Sequence, residues 1–490
     1  MESGFPALHP YHQLAGTVMS QDLVIVLDCG ATNIRAIAVD VEGQIVARAS
    51  QANITVPDAE NSEWHVWPHE SIFEQFSNCC RDLMDQVKPE QVKAVTVTTF
   101  GVDGALVDKT GTPIYPVISW KCPRTADAQQ HMSTYFDPAE VARLSGVGHF
   151  SFNTINKMIW FRENKPELLE DAHAWLFISS LFTHMLTGNL TTDATMAGTS
   201  QLTDLQGQTF NADILSALGL DESLFPPVVQ AGDIVGELLP TPAARFGLPA
   251  GIPVVSAGHD TQFAVFGSGA EKNQPVLSSG TWEILMARCE SMTSPETDVF
   301  DRGFTCEWDA QPNHYNPGIQ WLASGVLEWV NAQFYRDLSS AEKYEVMINE
   351  ASQAPVDCKG VSFDPAFLEG GAIRGLTLHC DRGDIYRAAL TALSVRLKDS
   401  LKLLETVGNF TATELILVGG GSRNALWNQI KADTLQLPIK ILDEAETTVL
   451  GAAMFAMAGA KLHASADAAR EAFNIHYEIV RPATTPREQG

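Results

Sequence analysis

Three glycine-bearing turns at the ends of short apolar runs limit most strongly how this chain can fold. The first, residues 28–33 (Asp-Cys-Gly-Ala-Thr-Asn), separates the β-branched runs Leu23–Asp28 and Ile34–Asp40. The second is Ser278-Ser279-Gly280-Thr281, and the third is Gly419-Gly420-Gly421 before a predicted helix. Glycine lets the backbone approach an anion closely, and successive N–H groups can then surround it. Three such turns favour phosphate chemistry.

A single glycine turn is most often only a turn, so the prediction depends on all three together. Two common nucleotide motifs are missing from the sequence. There is no GxxxxGK[ST] segment, and Gly419–Asn424 ends in Asn and so is not GxGxxG. The sequence therefore disfavours a P-loop enzyme and a Rossmann dehydrogenase.

Alternating strands and helices predict an α/β architecture in two halves. Val92–Thr99 reads as a strand after a helical stretch, Ser71–Val87, and the alternation continues to about residue 240. The segment Leu239–Pro253 is rich in proline and glycine, which predicts a boundary, and the strand pattern then restarts at Val254. The predicted units are an extension over residues 1–21, an N-terminal domain over 22–247 and a C-terminal domain over 248–490.

The charge balance excludes several partners. The 490 residues include 32 Lys and Arg against 59 Asp and Glu, a net charge of −27. Such a surface repels nucleic acid and anionic membranes, whose binding needs Lys and Arg. An anion must therefore be bound locally, by backbone N–H groups, helix N-termini or a metal. The 8 cysteines include no CxxC pair, which predicts reduced thiols in a cytoplasmic protein.

Carboxylates at predicted strand ends are the candidate catalytic groups. Asp260, in Gly258-His259-Asp260-Thr261, is suited to accept a proton from an alcohol, although a helix-cap role carries about equal weight on spacing alone. Asp28 precedes the first turn and is placed to hold Mg²⁺ through water. Asp103, between Gly101 and Gly104, is an acceptor suited to polyol hydroxyls where strand ends face a crevice.

In this order, these segments resemble the FGGY family of carbohydrate kinases from residue 22 to about 480. Residues 152–163 (FNTINKMIWFRE) are similar to the first family signature, and residues 371–390 (GAIRGLTLHCDRGDIYRAAL) are similar to the second. Within the family, the strings LDCGATNIRAIAVD (27–40), TTFGVDGALVDKTG (98–111), ISWKCPRT (118–125) and VLSSGTWEIL (276–285) are most similar to members that phosphorylate L-fuculose.

The resemblance implies two actin-like (ribonuclease H-like) α/β domains with an ATP cleft between them, and ATP with Mg²⁺ as the reacting species. Asp260 matches the general base and Asp28 the carboxylate near Mg²⁺. The positions that match ATP contacts are Ala31, Thr32, Asn33, Arg35, Thr281, Gly420 and Gly421. The positions that match sugar contacts are Gly101, His259, Thr261 and Asn316. Asp103 is added to them because its loop is expected on the sugar side.

The chain departs from the family pattern at three points. Ala31 stands where many members have Thr, and Thr391 stands where the second signature usually ends in an acidic residue. Cys122 and Pro123 occupy the stretch between Trp and Arg where many members have Asp, so that sugar contact is not carried over.

The sequence leaves alternatives open. L-rhamnulose or another ketose or polyol could be the acceptor, and an actin-like ATPase without a sugar acceptor is the alternative from another class. A monomer and a homodimer are equally compatible with the sequence.

Overall fold

A computed structural model of the chain describes residues 22–339, 342–442 and 446–483. The extension predicted over residues 1–21 lies outside the described residues. Among the helices that the structure describes, none is long and apolar enough to cross a membrane.

A six-stranded sheet forms the centre of the first half. Its central strand, Leu23–Cys29, runs antiparallel to Asn33–Asp40 and parallel to Val92–Thr99. All residues of Leu23–Cys29 are buried, as expected for a strand with both faces covered. The strand order across the sheet is Ile234–Glu237, Pro253–His259, Val92–Thr99, Leu23–Cys29, Asn33–Asp40 and Ile45–Ala52.

A seven-stranded sheet forms the second half and repeats this plan. Val276–Ser279 pairs antiparallel with Trp282–Met286 and parallel with Leu415–Val418. The strand order is Phe304–Trp308, Tyr315–Leu322, Trp282–Met286, Val276–Ser279, Leu415–Val418, Ile439–Ile441 and Glu478–Val480. The prediction of two similarly built α/β halves is therefore confirmed.

The boundary predicted at residues 247/248 falls inside the first half and needs correction. Strand Pro253–His259 pairs with Val92–Thr99 in the first sheet, and helix Asp260–Gly267 continues from it. The second sheet begins only at Val276. The proline-rich segment instead contains the short helix Pro240–Phe246, because proline is well tolerated in the first turn of a helix. The division between the halves lies after residue 267.

The two halves are connected by a close helix crossing. Helix Thr447–Gly459 packs against helix Asp260–Gly267 and against the first sheet, although in sequence it lies between strands Ile439–Ile441 and Glu478–Val480 of the second sheet. A Cβ atom on Gly267 would lie 1.9 Å from the Thr447 carbonyl oxygen, and one on Gly451 would lie 2.0 Å from the Phe263 carbonyl oxygen. Only glycine permits the two backbones to approach this closely.

The remaining elements surround these two sheets. The other strands are Val56–Pro57, His65–Trp67, Gly104–Val107, Val117–Ile118, Ala174–Phe177, Thr192–Asp193, Thr203–Asp204, Thr209–Phe210, Val228–Val229, Ser362–Asp364 and Ala372–Arg374. The other helices are His69–Met84, Arg124–Gln130, Pro138–Ser145, Thr154–Asn164, Pro166–Asp171, Ile178–Thr187, Ala194–Ala197, Ala212–Ala217, Ser324–Phe334, Lys343–Gln353, Arg382–Gly408, Ala425–Leu435 and Ala466–Ala472.

Candidate active site

The first glycine turn joins two neighbouring strands of the first sheet and is held by its own backbone. The Gly30 N–H donates to the Asn33 carbonyl at 2.9 Å. Asn53 supports the turn, because its N–H donates to the Thr32 carbonyl and its side-chain amide to the Gly30 carbonyl, each at 2.8 Å. Thr32 and Asn33 are exposed, and Ala31 is half-buried. The turn is thus a supported loop open to a ligand.

Asp28 and Arg35 form an ion pair beside this turn. The Arg35 Nε and Nη2 atoms donate to Asp28 Oδ2 at 2.8 and 2.5 Å, and Nη1 donates to Glu446 at 2.5 Å. Burial raises the pKa of Asp28 to about 6 against the opposing charge of Arg35, and the Asp260 carboxylate adds to the rise. Asp28 and Asp260 therefore belong to one electrostatic site.

The second and third glycine turns pack directly against each other. A Cβ atom on Gly419 would lie 2.7 Å from the Ser279 carbonyl oxygen, and one on Gly421 would lie 2.1 Å from Ser279 Oγ. Gly419 also has a φ angle of 90°, which favours glycine. A Cβ atom on Gly420 would have no neighbouring atom within 4 Å, and Thr281 is exposed. The two turns thus form one unit with an open outer surface.

A buried ion pair that sequence reasoning missed lies beneath this unit. Glu283 Oε1 accepts hydrogen bonds from Ser279 Oγ at 2.9 Å and from Lys431 Nζ at 2.6 Å. Both charged side chains are fully buried. The pair connects the second turn to helix Ala425–Leu435, which follows the third turn, and so fixes the two turns relative to each other.

Asp260 is the first residue of a helix and lies at the end of a first-sheet strand. Its Oδ1 atom lies 3.5 Å from His259 Nε2 and accepts a hydrogen bond from Thr261 Oγ1 at 3.3 Å. Its side chain is 32 % exposed. Burial raises the pKa of Asp260, and His259 opposes the rise. A partly accessible carboxylate with a raised pKa is suited to accept a proton.

His259 is held from both halves of the molecule. Its backbone N–H donates to Thr195 Oγ1 at 2.8 Å, and Thr195 in turn donates to the buried Asp193 at 2.5 Å. Its Nδ1 atom lies 3.2 Å from Glu307 Oε2, on a strand of the second sheet. Although burial opposes it, the Glu307 and Asp260 carboxylates raise the pKa of His259.

A cavity of about 420 Å³ opens beside these residues, between the two halves. Its volume lies within the range of small-molecule sites. Three of the residues predicted for the sugar side, Gly101, His259 and Thr261, line it. Further lining residues that sequence reasoning missed include Phe150, Phe152, Asn153, Thr199, Ile284, Thr305, Glu307 and Gln320. Phe152, Asn153 and Ile284 lie in segments quoted above only for the family resemblance, and the positions of the others depend on tertiary packing.

The loop that carries Gly101 has a strained backbone beside the cavity. Val102 adopts a φ angle of 65°, which is rare for a β-branched residue. Its carbonyl accepts hydrogen bonds from Thr154 Oγ1 at 2.8 Å and Lys157 Nζ at 3.2 Å, and its N–H donates to Thr199 Oγ1 at 3.2 Å. The surrounding contacts therefore stabilise a conformation that costs about 1–3 kcal/mol on its own.

The sequence placed Asp103 on the sugar, and here the structure differs. Asp103 is fully buried and does not line the cavity. Its carboxylate lies 2.9 Å from Lys157 Nζ and accepts hydrogen bonds from Trp67 Nε1 at 2.7 Å and from the Trp120 N–H at 2.9 Å. Because every one of these contacts is intramolecular, Asp103 supports the cavity wall from behind.

Asn316 also lies away from the cavity. It is fully buried, and its Nδ2 atom donates to Asp309 Oδ2 at 2.7 Å and to the Ala287 carbonyl at 3.1 Å. Asp309 in turn pairs with Arg288 at 2.9 Å. The strand that carries Asn316 lines the cavity farther along the chain, at Gly318, Ile319 and Gln320.

The predicted residues thus fall into two groups. Asp260 lies between the cavity-lining His259 and Thr261, near the Asp28–Arg35 pair of the first turn, whereas Thr281, Gly420 and Gly421 form the separate turn unit. The strand that leaves Thr281 reaches the cavity at Ile284, three residues later and roughly 10 Å away at the rise of an extended strand. This spacing suits a ligand that extends from the turn unit to the cavity.

Two α/β halves, glycine turns at their central strands and an accessible carboxylate beside an interdomain cavity define the class of small-molecule kinases with an actin-like fold. Family models agree with this assignment. The model of the N-terminal domain of the FGGY family of carbohydrate kinases matches residues 23–267, and that of the C-terminal domain matches residues 276–460. The chain belongs to the FGGY family of carbohydrate kinases, and its co-substrate is ATP.

Curated relatives and solved structures are similar over nearly the whole chain. The L-fuculokinase of Salmonella typhi is 53% identical over 96% of this chain and 99% of its own length. The L-fuculokinase of Haemophilus influenzae is 44% identical over 94% and 99%. The crystal structure of xylulose kinase from Rhodospirillum rubrum matches with a TM-score of 0.84 at 22% identity, covering 95% of this chain and 94% of that one. This last likeness confirms the predicted fold.

Proposed function

We propose that this kinase transfers the γ-phosphoryl group of ATP to the C1 hydroxyl of L-fuculose, giving L-fuculose 1-phosphate and ADP in L-fucose catabolism. The full-length similarity to the L-fuculokinases supports the choice of sugar. The observation that carries the mechanism is the accessible Asp260 carboxylate at the edge of the interdomain cavity, beside the first glycine turn.

In the proposed mechanism Asp260 is the general base. The C1 hydroxyl lies at the cavity edge, and Asp260 takes its proton as the oxygen forms a bond to the γ-phosphorus. The bond from the γ-phosphorus to the bridging oxygen breaks, and ADP leaves with the electron pair. Gly101, His259 and Thr261 hold the sugar in the cavity.

The nucleotide is bound by backbone groups in this proposal. The turn at Ala31, Thr32 and Asn33, together with Arg35, faces the transferred phosphoryl group, while Thr281, Gly420 and Gly421 hold the rest of the nucleotide. Backbone dipoles need no basic patch, which suits a net charge of −27.

Asp28 is the residue that fits Mg²⁺. Within the described chain no group of three or more His, Cys, Asp or Glu side chains could hold a metal. Mg²⁺ in kinase sites keeps several waters and binds through one or two carboxylates plus substrate phosphates, so a single carboxylate beside a phosphate turn fits it. Held by Asp28, the ion would offset the negative charge of the phosphate oxygens.

We also place the enzyme in the cytoplasm. All eight cysteines are free thiols in the structure, and seven of them are buried. Reduced thiols are the norm in reducing compartments.

The test is ADP release with Mg-ATP and, in turn, L-fuculose, L-rhamnulose, xylulose, glycerol and no sugar. The proposal predicts the highest kcat/KM with L-fuculose. A preference for another polyol would overturn the choice of sugar and keep the kinase. Turnover that does not depend on a sugar would instead support an actin-like ATPase.

A further inference from the structure

Glu307 is the only carboxylate among the described residues that line the cavity. It lies on strand Phe304–Trp308 of the second sheet, so it belongs to the half opposite His259 and Asp260. Its side chain is 14 % exposed, which leaves it in contact with the cavity space.

The two carboxylate oxygens of Glu307 have different surroundings. Oε2 lies 3.2 Å from His259 Nδ1 and accepts a hydrogen bond from Gln262 Nε2 at 2.5 Å. Oε1 has no hydrogen-bond partner within the described part of the chain, and it is not among the fully enclosed unpaired atoms. One oxygen is therefore engaged with the protein, and the other is available at the cavity.

Glu307 supplies the one negatively charged acceptor among the described residues that line this cavity. Sugar hydroxyls need acceptors, and much of the cavity wall is aromatic or aliphatic. Where many family members have an Asp after the Trp of the substrate loop, this chain has Cys122 and Pro123. Cys122 is buried, and its sulfur accepts hydrogen bonds from the His65 N–H and Arg124 Nε. The first half thus offers no carboxylate from that loop.

We propose that Glu307 binds a hydroxyl of the sugar through Oε1, while Oε2 accepts the hydrogen bond from Gln262 and lies beside His259 Nδ1. The inference rests on the proposed function, because it assigns a contact to the same sugar site. Oε2 places a negative charge 3.2 Å from Nδ1, and Nε2 lies 3.5 Å from Asp260 Oδ1. The sugar site then takes residues from both halves of the molecule, and all of its contacts with the sugar form only when the two halves lie against each other.

The test measures KM for the sugar and for ATP in the wild type, Glu307→Gln and Glu307→Ala. The assay uses the sugar with the highest kcat/KM in the panel above. If that sugar is not L-fuculose, the L-fuculose assignment is overturned, and the Glu307 variants still test the contact proposed here. Hydrogen bonds to charged groups contribute about 1.5–3 kcal/mol, which corresponds to a roughly 10- to 100-fold rise in sugar KM. The KM for ATP should change less than about twofold.

Monodeoxy analogues of the sugar separate binding from a merely structural role. In the wild type, removal of the hydroxyl that contacts Glu307 should raise KM about as much as Glu307→Gln does. In Glu307→Gln, removal of the same hydroxyl should have little further effect, because the two changes remove one interaction. Glu290→Gln, on an exposed carboxylate paired with Lys272, is the matched control and should leave both KM values unchanged.

Three results would overturn the inference. They are an unchanged sugar KM in both Glu307 variants, an equal rise in the KM values for sugar and ATP, and additive effects with every deoxy analogue. Thermal denaturation of each variant shows whether it is folded at the assay temperature. If Glu307→Ala unfolds, Glu307→Gln carries the test, since it keeps the size of the side chain and removes the charge of the acceptor.

Discussion

A pair of adjacent glycines, Gly420 and Gly421, allows folding and nucleotide binding to be tested separately. A Cβ atom on Gly421 would lie 2.1 Å from Ser279 Oγ, whereas one on Gly420 would meet nothing within 4 Å. Neither residue has a positive φ angle, so alanine is compatible with both backbones. We therefore expect Gly421→Ala to destabilise the fold and Gly420→Ala to spare it.

The magnitude for Gly421→Ala follows from the contacts of Ser279. Its hydroxyl would have to move by more than 1 Å to reach an ordinary contact distance of about 3.4 Å from the new methyl group. That movement breaks its hydrogen bond to Glu283, which is buried and paired with Lys431. Overpacking costs about 1–3 kcal/mol and a buried hydrogen bond to a charged group about as much, so we expect a loss of roughly 3 kcal/mol.

The assays are urea denaturation at 25 °C and steady-state ADP release. Gly420→Ala should unfold at the wild-type urea midpoint, yet its methyl group on the open surface should raise the KM for ATP by at least roughly tenfold, or about 1.4 kcal/mol. The KM for the sugar should not change. Wild-type stability in Gly421→Ala would refute the packing argument, and an unchanged ATP KM in Gly420→Ala would refute nucleotide binding at this turn.

Three further predictions concern the groups around the cavity. Asp103→Asn should lower the free energy of unfolding in urea by about 3–5 kcal/mol, because it leaves the buried Lys157 charge uncompensated; a change in sugar KM at normal stability would contradict this. Burial raises the pKa of Asp193 to about 6 from its ordinary 3.8, so the native state keeps a proton that the unfolded state has lost. Asp193 should thus lower the stability by roughly 3 kcal/mol as pH rises from about 4 to 6. The slope should be smaller by this amount in Asp193→Asn, in which the contribution of Asp28 remains, whereas an equal slope in both proteins would exclude Asp193 as a source. Gly101→Ala places a Cβ atom 2.9 Å from the His259 ring and should raise the sugar KM roughly tenfold at constant ATP KM. An unchanged sugar KM would contradict this prediction.

The sequence predicted the fold well because its signals are local. Strand Leu23–Cys29, the turn at Gly30 and the repeat of that pattern at Ser279 and Gly419 are all visible in short segments. The domain boundary was wrong because proline and glycine at residues 239–253 mark local backbone geometry, namely a helix start and turns. Sheet membership of the following strand depends on pairing with residues 92–99, which composition does not reveal.

The site was predicted less completely because its residues come from both halves. Asp103 has the residue type and the position of a sugar ligand, but Lys157, more than fifty residues later, draws its carboxylate inward. Asn316 and Glu307 are directly paired on neighbouring strands, and only Glu307 lines the cavity. Directly paired residues share one face of the sheet, so the difference lies in their contacts: Asn316 donates to Asp309 Oδ2 and the Ala287 carbonyl. No motif marked Glu307.

The most direct test of the central claim is the turnover of Asp260→Asn compared with the wild type at saturating Mg-ATP and L-fuculose. If Asp260 accepts the C1 hydroxyl proton, kcat should fall by roughly 10²–10⁴, while ATP binding measured by titration stays within a few fold of the wild type. Asparagine keeps the size of the side chain and removes its basicity. Near-normal turnover in Asp260→Asn would contradict the account, because the phosphoryl transfer would then need another base.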